Sequence, residues 1–114
     1  MGAKELELLR GTLDLLVLKA LTAGPRHGYA IGKWLRSSSH EALDLEDRAL
    51  YIALHRLEAR KLIRGRWKVL DGRRARVYEL TTAGEEQLKA ELENWKQYAQ
   101  VMSRVLRAPV AEES

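Results

Sequence analysis

Apolar residues recur at helical spacing from Leu6 to Leu21, where Leu9, Leu13, Leu16, Val17, Ala20 and Leu21 share one face, and Gly24-Pro25 ends the run. A second helix is predicted from about Arg26 to Arg36, carrying Tyr29, Ile31, Trp34 and Leu35. Gly28 and Gly32 lie on one side of it, a pair that lets another backbone approach closely at a helix-propensity cost of about 1 kcal/mol each. After the polar loop Ser37-Ser38-Ser39-His40, a third helix starts near Asp44 to Asp47, a weakened capping box, and runs to about Lys61. Turning Leu50, Leu54 and Leu57 inward puts Arg48, Tyr51, Ile52, His55 and Ala59 on the opposite side. Two strand-like runs, Ile63 to Leu70 and Arg73 to Leu80, flank Asp71-Gly72, a strong hairpin signal. Thr81 or Thr82 can cap a last helix that opens with Gly84-Glu85-Glu86 and runs to about Leu106, ahead of Pro109. Its apolar residues Leu88, Leu92, Trp95, Ala99, Met102 and Leu106 follow one another at alternating four- and three-residue steps, a heptad seam.

These elements predict a mainly α fold with a small β-hairpin, an α+β winged helix-turn-helix plus a C-terminal dimerisation helix. Residues 1–80 form the DNA-binding domain, 81–108 the dimerisation helix and 109–114 a flexible tail. The seam needs a cover, and a second copy of the chain supplies one. The alternative folds the last helix back on the chain's own first helix. Both arrangements can coexist, with Leu9 and Leu13 beside Trp95 from either subunit.

With 114 residues, 46% hydrophobic and 32% charged, the chain has the makings of one domain with a real core rather than a disordered tail. It has no cysteine, which excludes disulfides, thiol nucleophiles and cysteine-based zinc sites, and favours a cytoplasmic location. Asp14 and Lys19 interrupt the longest apolar stretch, Leu13 to Ala23, so no membrane span is expected.

The net charge of +4 is unevenly placed. Residues 1–55 balance and 77–114 are slightly acidic, whereas 56–76 hold nine basic residues against Glu58 and Asp71. That run spans a helix end and a hairpin, and a cationic surface built by adjacent elements suits a regularly spaced polyanion. The outward face of the third helix, with an arginine, a tyrosine, an isoleucine and a histidine, suits base edges and thymine methyls. The other reading packs Tyr51 and Ile52 on a neighbouring element.

Enzyme chemistry has little to work with. There is no HExxH, since Asp44 stands where His40-Glu41 would require the second histidine, no G-x-S-x-G and no phosphate-cradling glycine loop. His27, His40 and His55 fall on different elements, which argues against a metal site, and no cofactor is implied. A non-enzymatic rival is a winged-helix module that docks an acidic protein on its basic surface.

The motifs LLRGTLDLLVLKAL, GPRHGYAI from Gly24, LYIALHRLE from Leu50 to Glu58 and VYELTTAG from Val77 to Gly84 occur in one order over roughly residues 6 to 106. In this the chain resembles the PadR family of bacterial transcriptional regulators, in its compact form with a single C-terminal helix. The resemblance implies a homodimeric winged helix that binds operator DNA, usually as a repressor, and in some members releases it on binding a planar aromatic molecule. Tyr51 carries over as a DNA contact. With Arg48, Ile52 and His55 it makes the expected base-reading set, and Arg56, Arg73, Arg74 and Arg76 the expected phosphate anchors. Trp95, with Leu9 and Leu13, is the expected effector site, the other reading being that Trp95 is plain interface core bordered by Met102, while Trp34 and Trp67 are read as packing residues. The chain departs from the family where Arg48-Ala49-Leu50-Tyr51-Ile52 replaces Gly-Thr-Leu-Tyr-Pro and Lys61 replaces a glycine, and Glu46 and Asp47 would repel phosphate if they faced it.

Overall fold

The computed structural model describes residues 11–43 and 45–111. In chain order these form α1 (Thr12–Ala20), β1 (Arg26–His27), α2 (Gly28–Ser38), α3 (Asp47–Ala59), β2 (Ile63–Leu70), β3 (Arg73–Leu80) and α4 (Thr82–Arg107). The architecture is a winged helix: three helices, a small antiparallel sheet of order β1-β3-β2, and a long fourth helix. The first five residues of the expected helix from Leu6, Leu9 among them, lie outside the described residues.

One core serves all of these elements. Val17 and Leu18 from α1, Ile31 and Leu35 from α2, and Leu50, Leu54 and Leu57 from α3 meet Ile63 and Tyr78 of the sheet and Leu88 of α4. Where α2 crosses α3, the two glycines admit side chains rather than the backbone expected from the sequence. A Cβ on Gly28 would sit 3.2 Å from the Tyr51 ring, and one on Gly32 would sit 3.3 Å from the Leu50 side chain.

The hairpin pairs in register from Ile63 opposite Leu80 to Leu70 opposite Arg73. Asp71 (φ 51°) and Gly72 (φ 77°) both take positive φ, as the two-residue turn of a right-twisted hairpin requires. Arg26 and His27 do not begin a helix but pair with Tyr78 and Val77 as a third strand. His27 then caps α2, its Nδ1 accepting from the Ala30 amide at 3.2 Å.

The start of α3 also departs from expectation. Glu46 holds the cap position without a side-chain hydrogen bond, and Asp44 lies outside the described residues, so no capping box is seen. At the other end the chain leaves α3 through a Schellman turn. Leu62 N–H donates to the Leu57 carbonyl (3.0 Å) and Lys61 N–H to that of Glu58 (2.9 Å), with Lys61 left-handed at φ 64°.

The fourth helix is tied to that exit. Thr81 N–H donates to the Leu62 carbonyl (3.1 Å), the Thr81 hydroxyl to that of Lys61 (2.8 Å), and the hydroxyl oxygen accepts from Gly84 N–H (3.0 Å). Gly84 is buried so tightly that a Cβ there would overlap the Leu62 carbonyl oxygen. Beyond Leu88 most of the helix is exposed. The radius of gyration is 17.3 Å, whereas a compact chain of this length would have about 13 Å.

Candidate nucleic-acid interface

The α3 period divides the helix sharply. Leu50, Ala53, Leu54 and Leu57 are buried, while Arg48, Tyr51, Ile52 and His55 stand on the surface. Ile52 is 50% exposed and no described element covers it. Tyr51 combines the two readings, since its ring leans on Gly28 of α2 while 46% of the residue stays open to solvent. Beside it, at the entry to α2, the His27 and Tyr29 rings stack at 6.3 Å, with Tyr29 exposed.

The basic segment resolves into two kinds of cation. Arg56 donates through Nε (3.1 Å) and Nη2 (2.5 Å) to the two carboxylate oxygens of Asp14, a buried acid on α1. These charge-assisted hydrogen bonds raise the guanidinium's basicity above its ordinary value. Arg76 reaches Glu58 at 2.6 Å, and Arg64 and Arg66 share Glu79 at 3.2 and 3.5 Å. Of the four arginines expected on phosphate, Arg56 and Arg76 are thus already paired within the fold. Arg73 and Arg74 are exposed at the hairpin tip and form no ion pair among the described residues.

Trp67 is the residue that the sequence misplaced. It is not core packing: 56% of it is exposed on the wing, with the Arg74 guanidinium 4.7 Å and that of Arg76 5.6 Å from its ring centroid. Trp34 does pack against the core, with Arg26 over its ring at 5.9 Å.

A helix that turns polar and apolar side chains outward together, beside a hairpin with an unpaired cationic tip, is a surface shaped for duplex DNA. The sequence profile described as the transcriptional regulator PadR-like family matches residues 17–90. The chain belongs to this family. It is therefore a PadR-like, DNA-binding transcriptional regulator rather than an enzyme. A transcriptional regulator from Clostridium thermocellum superposes with a TM-score of 0.78 at 28% identity, over 83% of this chain and 90% of that one. A PadR family regulator from Clostridium difficile gives 0.75 at 28% identity, over 84% and 99%. A 37.1 kDa protein in a transposon of Streptomyces fradiae is 38% identical over 100 residues, 88% of this chain but only 27% of that protein.

Two further regions bear on what this PadR-like chain does. On α4, Leu88 is buried in the chain's own core, so the exposed stripe begins at Leu92. It continues through Trp95, Met102 and Leu106 and is broadened by Tyr98, Val101 and Val105, which the heptad reading did not include. Ala99 lies within it, partly buried. Between α1 and α4, a cleft of about 530 Å³ is lined by Thr12, Asp14, Leu15, Arg60, Trp95 and Tyr98, among others. Leu13 packs against the core instead of lining it. Among the described residues no helix is long and apolar enough to cross a membrane, and no acid or histidine cluster could hold a metal ion.

Proposed function

We propose that the protein is a homodimeric repressor that reads an inverted-repeat operator. In this reading Tyr51 and His55 contact base edges, Ile52 meets thymine methyls and Arg48 reaches a base or phosphate, while Arg73 and Arg74 hold the backbone from the wing. Arg56 and Arg76 serve by fixing α3 against α1 and the wing against α3. The observation that carries the reading is the uncovered outward face of α3, with Tyr51 and Ile52 half exposed, on a chain whose hairpin tip holds cations with no acidic partner among the described residues.

The dimer closes over Leu92, Trp95, Ala99, Met102 and Leu106. In support, the apolar arc of α4 is wide enough to meet more than one partner element, as when a second α4 and a second α1 pack on it. Paired α3 helices then sit about one duplex turn apart, which sets the inverted repeat. The Trp95 cleft is the candidate effector site for a planar aromatic molecule, an aromatic and aliphatic wall beside Asp14. The protein acts in the cytoplasm, on the nucleoid.

The test is fluorescence anisotropy with duplex DNA from upstream of the protein's own coding region, against a scrambled duplex, over several salt concentrations. Tyr51→Ala should weaken specific binding by roughly 1–3 kcal/mol and leave the scrambled duplex nearly unaffected. Arg74→Ala should weaken both and flatten the salt dependence by about one unit. Equal effects of the two changes on both duplexes would remove the division between reading and anchoring. A monomeric mass by light scattering at micromolar concentration would remove the dimer.

A further inference from the structure

The wing alternates aromatic and cationic groups, and its aromatic members, Trp67 and Tyr78, lie outside the DNA-contact set. Along the face shared by Gly65, Trp67, Arg74, Arg76 and Tyr78, the Arg76 guanidinium lies 6.0 Å from the Tyr78 ring centroid and 5.6 Å from that of Trp67, with Arg74 4.7 Å beyond on the same indole. The base of this ladder is fixed: Tyr78 is buried and Arg76 is bound to Glu58 of α3. Gly65 leaves the room, since a Cβ there would lie 2.7 Å from the Arg76 Nε. The far end is free. Among the described residues Arg74 has no acidic partner and donates no hydrogen bond, so its N–H groups remain available to an anion while its carbon is held over the ring.

We propose that Trp67 is a positioning residue for DNA binding, holding Arg74 over its indole so that the guanidinium meets the phosphate backbone already ordered. The proposal rests on the reading above that the wing tip anchors phosphate. An arginine carries four rotatable bonds, and ordering it at the moment of contact weakens binding; a guanidinium resting on an aromatic face has lost part of that freedom beforehand. A cation over an exposed indole contributes the equivalent of roughly twofold to fivefold in affinity.

Salt-dependent anisotropy on the native and scrambled duplexes tests this with Trp67→Leu, Trp67→Phe, Arg74→Ala and the double variant Trp67→Leu/Arg74→Ala, each checked for an unchanged circular dichroism spectrum. Trp67→Leu should weaken both duplexes alike by roughly threefold and lower the salt slope toward that of Arg74→Ala, just under one unit below the wild type. Trp67→Phe, which keeps an aromatic face, should recover most of the loss. In the Arg74→Ala background, removing the indole should change affinity by less than about twofold. The proposal is overturned if Trp67→Leu leaves affinity and slope unchanged where Arg74→Ala lowers both, or if it costs the same with and without Arg74. If Arg74→Ala itself has no effect, the wing reading fails first, and the role of Trp67 falls with it.

Discussion

Arg56 and Asp14 join α3 to α1, and the two ends of this pair differ in a way that makes it testable. The Asp14 side chain is 9% exposed and that of Arg56 47%. Replacing Arg56 by methionine keeps the aliphatic stem and strands a carboxylate in a site that water barely reaches. Breaking a fully buried pair from one side costs about 3–5 kcal/mol, and the half-exposed arginine places this one lower, at roughly 2–3 kcal/mol. Asp14→Asn strands instead a guanidinium that can turn to solvent, and should cost only about 1 kcal/mol. The double variant should be more stable than Arg56→Met alone, because the second change removes the stranded charge. Thermal unfolding at fixed protomer concentration reads these differences as a fall of roughly 10–15 °C for Arg56→Met and about 5 °C for Asp14→Asn. A larger loss from Asp14→Asn, or simple additivity in the double variant, would refute this account.

Lys61→Gly removes the side chain from the left-handed position that ends α3, and should stabilise the protein by about 1 kcal/mol, seen as a Tm higher by roughly 4 °C. Gly84→Ala drives a methyl into the Leu62 carbonyl and should destabilise by about 3 kcal/mol by denaturant unfolding; a wild-type midpoint would show that α4 is not seated as described. Burial pushes the Tyr78 phenol above its ordinary value of 10.0. The folded state therefore resists its ionisation, and the stability present below pH 10 is lost as pH rises through 10 and into the raised range. Tyr78→Phe should unfold less steeply with pH than the wild type between pH 9 and 11, and parallel curves would argue against a protected phenol.

The recognition helix and the wing were legible because both are periodic. Leu50, Leu54 and Leu57 mark one side of α3, and Asp71-Gly72 marks the turn that only a hairpin of this twist accepts. The strand at Arg26–His27 was not legible, since two residues carry no period and the pairing with β3 is made some fifty residues away in the chain. Trp67 looked like core because aromatic residues in strands usually are. Here the sheet runs past the edge of the body after Arg66, and nothing in the local pattern says where a strand outgrows what lies beneath it. The pairing of Arg56 with Asp14 was hidden for a related reason: 42 residues separate them, and only the crossing of α1 and α3 brings them together. Leu88 kept the heptad spacing while belonging to the chain's own core, because the spacing of a helix face does not say which neighbour that face meets.

The hydrogen bonds from Thr81 to Lys61 and Leu62, in the turn that leaves α3, key the start of α4 to the end of that helix. No slack lies between β3, which ends at Leu80, and α4, whose cap is Thr81. In the proposed dimer, whatever alters the angle at which two such helices cross must therefore swing the paired α3 helices, changing the distance between the half-sites they can grip together. On that reading the span of the operator is set at the far end of α4, by side chains that never approach DNA.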